Sequence, residues 1–192
     1  MLLGLDEVGR GCWAGPLVAG AVVLRQEVDG LRDSKKLTKK RRDILALEIQ
    51  EKAFVGLGWV WPHEIDQWGL TKSVQYAMLR AVKDLHLNGG TYDEIIIDGN
   101  YNFLNCVNGL QCEPANVMTM VRADDSVPAV SAASIVAKVA RDNYMIEISE
   151  KYPQYAFDKN VGYGAPAHIA ALKAHGVTSI HRKSYKPVKA CV

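Results

Sequence analysis

The sequence predicts an α/β protein built on a mixed, five-stranded sheet flanked by helices. Three observations carry that prediction. Met1–Leu5, Val18–Leu24 and Phe54–Trp61 are apolar or alternating runs in succession, the first two tightly joined, as in an antiparallel meander. A long helical pattern then leads into Ile95-Ile96-Ile97, and a strand–helix–strand order predicts a parallel crossover. Those isoleucines make a strand apolar on both sides, as expected of one buried between layers.

Taken in order, the first strand meets Asp6-Glu7 and then Gly9-Arg10-Gly11, which predicts that it ends at the acids. Neighbouring side chains alternate faces within a ladder, so two adjacent acids converge only where a strand stops. A loop through Trp13, Gly15 and Pro16 leads to the second strand. Thr38 is a candidate cap for a helix carrying Ile44, Leu45, Leu47 and Ile49. Pro62 suits the first turn of the long helix, whose Val74, Met78, Leu79, Val82 and Leu85 have helical spacing, and Asn88-Gly89-Gly90 stops it. Asp98 stands at the carboxyl end of the isoleucine strand, where open α/β sheets bind ligands. Asn100–Glu113 reads as irregular. Asn116–Val121 is the fifth strand, running into Arg122-Ala123-Asp124-Asp125. Ser131 is read as the cap of a helix from Ala132 to about Ser149, closed by Pro153, with Ser134, Lys138 and Arg141 as its polar stripe. A Gly162-Tyr163-Gly164 turn and an alanine-rich helix from Pro166 to His175 precede a basic tail.

At 192 residues the chain can bury a substantial core as one domain. Cys12, Cys106, Cys112 and Cys191 show neither C-x-x-C spacing nor a histidine cluster, which argues against a zinc site or disulfide framework and suits a reducing, cytoplasmic setting. The longest apolar run, Cys12–Leu24, is too short to span a bilayer, so no membrane partner is expected. A monomer is expected, because no interface signal is present. Net charge is only +2, yet six cations fall within the ten residues Asp33–Arg42, and no acid follows Asp158. Two basic segments beside strand-end acids suggest a polyanion held against a metal site.

Acids occur at three strand ends: Asp6-Glu7, Asp98 and Asp124-Asp125. Folded together they would repel, raising their pKa values unless a cation neutralised them. Oxygen donors without His or Cys favour Mg²⁺ or Mn²⁺, and two such ions suit an in-line phosphoryl displacement. The residues alone do not choose between Asp124 and Asp125.

Asp6-Glu7-Val8-Gly9-Arg10-Gly11, Asp33-Ser34-Lys35-Lys36-Leu37, Ile97-Asp98-Gly99, Ala132–Lys138 with Arg141-Asp142, Gly162-Tyr163 and His181–Tyr185 occur in that order. Together, from Gly4 to Val188, they resemble the bacterial ribonuclease HII family. The resemblance implies a ribonuclease H-like fold, with a catalytic core over residues 1–152 and a small helical, substrate-binding extension over 153–192. It implies hydrolysis of the RNA strand of RNA–DNA hybrids, and cleavage 5′ of single ribonucleotides in duplex DNA. It also implies products with a 3′-hydroxyl and a 5′-phosphate, and a role in ribonucleotide removal from DNA.

Mapped by motif, the resemblance assigns Asp6, Glu7, Asp98 and Asp124 as catalytic, metal-binding acids, with Asp124 fixed by the family's spacing to Ala132-Ala133-Ser134. Gly9, Arg10 and Gly11 would read the 2′-hydroxyl, largely through backbone groups. Tyr163 would touch the same sugar, and Ser34 and Lys35 would contact phosphates. Three departures stand out. Asn160-Val161 replaces the family's usual His-Lys, Ala165 replaces Thr, and Arg122-Ala123 replaces Lys-Gly. His63, His86, His168 and His175 read as surface or packing residues. Asp142 reads as an ion-pair partner of Lys138, and the tryptophans as core residues.

Overall fold

The computed structural model describes residues 1–105 and 116–191. Five strands, β1 (Leu2–Val8), β2 (Leu17–Leu24), β3 (Ala53–Val60), β4 (Glu94–Asp98) and β5 (Val117–Met120), form one sheet in the order β3-β2-β1-β4-β5. β1, β2 and β3 make the antiparallel meander, while β4 and β5 add in parallel to β1. The predicted mixed sheet is therefore present, with the crossover between β3 and β4 made by α2 (Pro62–Leu87).

One face of the sheet buries Leu3, Leu5, Ala19, Ala21, Ile95 and Ile97 against Val74, Met78, Val82 and Leu85 of α2. The other face is covered by α1 (Lys39–Lys52) and α4 (Pro128–Lys151), with Val22 packed among Leu45, Ile49, Ala132, Ala133 and Ile135. Thr38 does cap α1, its hydroxyl accepting from the Arg41 amide at 3.3 Å. α2 begins with Pro62, has the Glu64 carboxylate on the Trp61 amide, and bends at Gly69, where φ is 74°. β3 is a sheet edge, and α2 satisfies it with side chains: Asp84 accepts from the Leu57 amide at 2.8 Å, and Asn88 donates to the Val55 carbonyl at 2.9 Å.

Several sequence expectations change. β1 does not end at its acids but runs one residue further, to Val8, so Asp6 and Glu7 both lie in the ladder with β2. α4 starts at Pro128, four residues earlier than expected. Ser131 is inside the helix, donating to the carbonyls of Asp124 and Val127 rather than capping. The polar stripe on α4 is a buried face, because Ser134 and Arg141 have partners in the interior. Asp124 and Asp125 belong to a one-turn helix, α3 (Ala123–Ser126), instead of a strand end. Of the tryptophans, Trp68 and Trp13 are half-buried against the core as expected, Trp59 is half-buried, and Trp61 is exposed. The irregular reading of Asn100–Glu113 lies, from residue 106 onward, outside the described residues, as do Cys106 and Cys112.

Beyond α4 the chain makes short helices α5 (Phe157–Asn160) and α7 (Lys186–Lys189) around the longer α6 (Pro166–His175). They pack on the loop between β1 and β2 through Ala14, Tyr155, Phe157, Leu172 and Ile180. Among the described residues, no helix is long and apolar enough to cross a membrane.

Candidate active site

Leu5 pairs with Ile97 across β1 and β4, so Asp6 and Asp98 are the next residues along neighbouring parallel strands. Asp6 also faces Gly20 across β2. Alternation turns the Asp6 side chain toward α4, where the Ser134 hydroxyl draws its pKa down, and the Glu7 side chain the other way. Two glycines make the approach of α4 possible. A Cβ on Gly20 would lie 2.4 Å from the Ala133 carbonyl oxygen, and one on Gly4 would lie 2.2 Å from the Ala129 carbonyl carbon. The helix thus rests on bare backbone, which brings Ser134 within reach of Asp6.

Glu7 Oε1 accepts from Arg10 at 3.0 Å. Asp98 Oδ1 accepts from the Ala123 amide at 2.8 Å and so ties α3 to the end of β4. Asp124 is buried and its Oδ2 lies 3.8 Å from Lys35 Nζ, whereas Asp125 is exposed and paired with Lys36 at 2.6 Å. An open cleft of about 500 Å³ is walled by Asp98, Asp124, Asp125, Asp33, Lys35 and Lys36.

Three of the four acids are pushed upward. Burial, then Glu7 and Asp98, push Asp6 well above the usual carboxylate range, against the opposing pull of Ser134 and the Glu7 amide. Burial also raises Glu7, opposed mainly by Arg10 and reinforced by Asp98. Burial raises Asp124, with Asp98 and Asp33 adding to it and Lys35 opposing. Asp98 is the acid common to all three. Donor chemistry fits a hard divalent cation: all-oxygen ligands carrying negative charge that needs neutralising. The side chains, however, are turned to protein partners. Among the described residues, no three His, Cys, Asp or Glu close into a coordination group. Arg10 and Lys35 supply the positive charge instead.

The Gly9–Pro16 loop is held from beneath by two fully buried arginines. Arg141 donates to the carbonyls of Ala14, Pro16 and Val161, and Arg182 to those of Arg10 and Gly15. Tyr185 adds a hydroxyl to the Arg10 carbonyl at 2.6 Å. With these carbonyls drawn inward, the Arg10 and Gly11 amides donate to no protein acceptor among the described residues. Gly9, at φ 91°, has no room for a side chain, because a Cβ would meet Arg141 Nε at 2.4 Å. Tyr163 is 43% exposed beside this loop, and a Cβ on Gly11 would stand 4.0 Å from its ring. Its hydroxyl is pushed up to about 12 by burial and by Cys12.

Lys35 is exposed, as a phosphate contact requires, but Ser34 is buried with its hydroxyl 2.9 Å from that of Ser134. Ser34 therefore supports Asp6 through Ser134 instead of presenting its hydroxyl outward. Lys138 and Asp142 form the expected ion pair at 2.8 Å. Sequence reasoning missed Ser134, Arg141 and Arg182 as builders of the site. Two of them, Ser134 and Arg141, sit in the polar stripe, and the alanines around them are the available sign that it faces inward.

A mixed sheet in this order, with carboxylates at adjoining strands and a flanking helix, defines the ribonuclease H-like class. A family model described as Ribonuclease HII matches residues 3–188. A Ribonuclease HII of Polynucleobacter asymbioticus is 45% identical over 192 residues, covering 97% of this chain and 93% of the relative. One of Shewanella loihica is 45% identical, covering 97% and 87%. The crystal structure of the ribonuclease H2 from Pyrococcus horikoshii superposes with a TM-score of 0.79 at 26% identity, covering 99% of this chain and 96% of that one. The chain belongs to the ribonuclease HII family, and is accordingly a ribonuclease and a hydrolase.

Proposed function

We propose that this ribonuclease is a metal-dependent endonuclease that cuts the RNA strand of RNA–DNA hybrids and nicks duplex DNA 5′ of single ribonucleotides, in ribonucleotide removal. The observation that carries the reading is that Asp6 and Asp98 occupy consecutive positions on adjoining parallel strands, with Asp98 accepting from the Ala123 amide of the turn that carries Asp124. Two ions, Mg²⁺ or Mn²⁺, held by these acids would supply Lewis-acid stabilisation of the attacking and leaving oxygens.

The chain's own residues do the rest. Asp6, Glu7, Asp98 and Asp124 are the residues that would hold the ions. Ser134, backed by Ser34, orients Asp6. Arg10 and Gly11 present backbone amides to a 2′-hydroxyl, which both donates and accepts and so distinguishes RNA from DNA. Tyr163 lies against the same sugar, while Lys35 and the basic residues after it position the backbone without reading sequence. Residues 153–192 serve as the substrate-binding extension, and the protein acts as a cytoplasmic monomer.

The test is a DNA duplex carrying one ribonucleotide, incubated with Mg²⁺ and then with a chelator. The expected result is one nick 5′ of the ribonucleotide, with 3′-hydroxyl and 5′-phosphate ends, abolished by chelation. Asp98→Asn should remove cleavage yet keep duplex binding, because a negative charge facing phosphate is lost. A cyclic phosphate product, or full activity in Asp98→Asn, would overturn the reading.

A further inference from the structure

Two histidines that the sequence assigns to no role are buried together. His168 is 0% and His181 1% exposed, and their Nε2 atoms stand 3.0 Å apart. The donors around them fix which nitrogen carries each proton. The Thr178 amide donates to His181 Nδ1 at 2.9 Å, so that nitrogen is an acceptor and the His181 proton sits on Nε2. His181 Nε2–H then donates to His168 Nε2. His168 is left with its proton on Nδ1, which faces the Tyr163 carbonyl at 2.8 Å. One hydrogen-bond chain therefore runs from Thr178 to Tyr163, with a single tautomer allowed at each ring. Burial supports it by keeping both rings neutral, with His181 pushed down to about 4.

Tyr163 needs such an anchor. It lies between Gly162 and Gly164, the first at φ 86°, and glycine flanks supply little stiffness of their own. The Ala165 amide and His168 are the donors to its carbonyl among the described residues. Tyr155 and Phe157 wall the pair, with Tyr155 4.9 Å from the His181 ring, so the chain cannot relax into solvent.

We propose that His168 and His181 are positioning residues for substrate binding: their fixed-tautomer chain holds the Tyr163 backbone so that its ring stays beside Gly11. This rests on the reading of Tyr163 as a contact to the ribose. Replacing His168 removes one buried hydrogen bond from that backbone, which converts to about a five- to tenfold weaker hold.

The test measures KM and kcat on a duplex carrying one ribonucleotide. His168→Leu should raise KM about five- to tenfold with kcat nearly unchanged. His168→Gln, whose amide can both donate and accept, should recover most of that loss. On a Tyr163→Ala background, His168→Leu should add nothing. In the unmodified protein, nitrogen chemical shifts should show protons on His181 Nε2 and His168 Nδ1, and this measurement stands even where His168→Leu does not fold. The opposite tautomers, or an unchanged KM in folded His168→Leu alongside a raised KM in Tyr163→Ala, would overturn the proposal. An unchanged KM in Tyr163→Ala would instead refute the contact to the ribose, leaving the tautomers to decide the relay.

Discussion

Gly20→Ala should damage the active site from inside the sheet, without touching a proposed catalytic group. Gly20 faces Asp6 across β1 and β2, and α4 lies directly on it. An added Cβ would stand 2.4 Å from the Ala133 carbonyl oxygen, where ordinary contact begins at 3.4 Å, so the helix must withdraw by about 1 Å. That shift moves Ser134, the next residue, away from Asp6 and also strains its bond to Ser34. Overpacking of this kind costs about 1–3 kcal/mol. In a chain this size that lowers Tm by roughly 2–12 °C. A misplacement of about 1 Å at reacting groups costs up to roughly a hundredfold in rate. The control is Gly58→Ala, whose Cβ would meet the Ala77 carbonyl oxygen of α2 at 1.8 Å, on the opposite face of the sheet. Both variants should melt early. At a temperature where both are folded, Gly20→Ala should cut the embedded ribonucleotide at least tenfold more slowly than Gly58→Ala. Equal rates, or an unchanged Tm in Gly20→Ala, would refute the claim that bare backbone sets the distance from α4 to Asp6.

Acid should weaken the fold through the histidine pair. Burial, then His168, lowers His181 from 6.5 to about 4, so between those values the unfolded chain binds a proton that the folded one refuses. Stability is therefore complete above about pH 6.5 and falls as pH drops, by roughly 3 kcal/mol at pH 4. The raised carboxyls of Asp6, Glu7 and Asp124 act with the opposite sign, since protonation favours their folded state. Urea midpoints at pH 7.5 and 5.5 should fall more steeply in the unmodified protein than in His181→Gln, and parallel slopes would contradict this. Arg141→Met should strand the carbonyls of Ala14, Pro16 and Val161, at a cost of about 3 kcal/mol or more. Its Tm should drop by roughly 6–12 °C, and a drop under about 3 °C would mean that water replaces the guanidinium.

The sheet was legible because its signals are local. The isoleucines of β4 report burial on both sides, and Pro62 with Asn88-Gly89-Gly90 brackets α2, whatever lies around them. What the sequence hid depends on partners far along the chain. Ser131 has the chemistry of a cap, and Pro128 the chemistry of a first helical turn. Proline took the helix start because the residues after it could still pack on Gly4 and Gly20. Arg141 reads from the sequence only as part of a polar stripe, because its three acceptors lie 20 to 127 residues away. His168 and His181 show no ligand spacing at a separation of 13 residues, and only the turn of the chain after α6 brings their rings together.

The acids show where a motif and a geometry part company. The sequence places Asp6 and Glu7 side by side and suggests that the strand must end for both to be useful. The structure keeps the strand intact and lets the two side chains leave from opposite faces. A site can still form because Asp98 lies at the carboxyl edge of the neighbouring strand, where it influences both. Asp124 then enters from α3, which is pinned to Asp98 by the Ala123 amide. The Asp98 carboxylate thus has two roles, holding α3 in place and linking the other three acids electrostatically. On this geometry the strand-end position of Asp98, more than the adjacent pair at the amino terminus, organises the site.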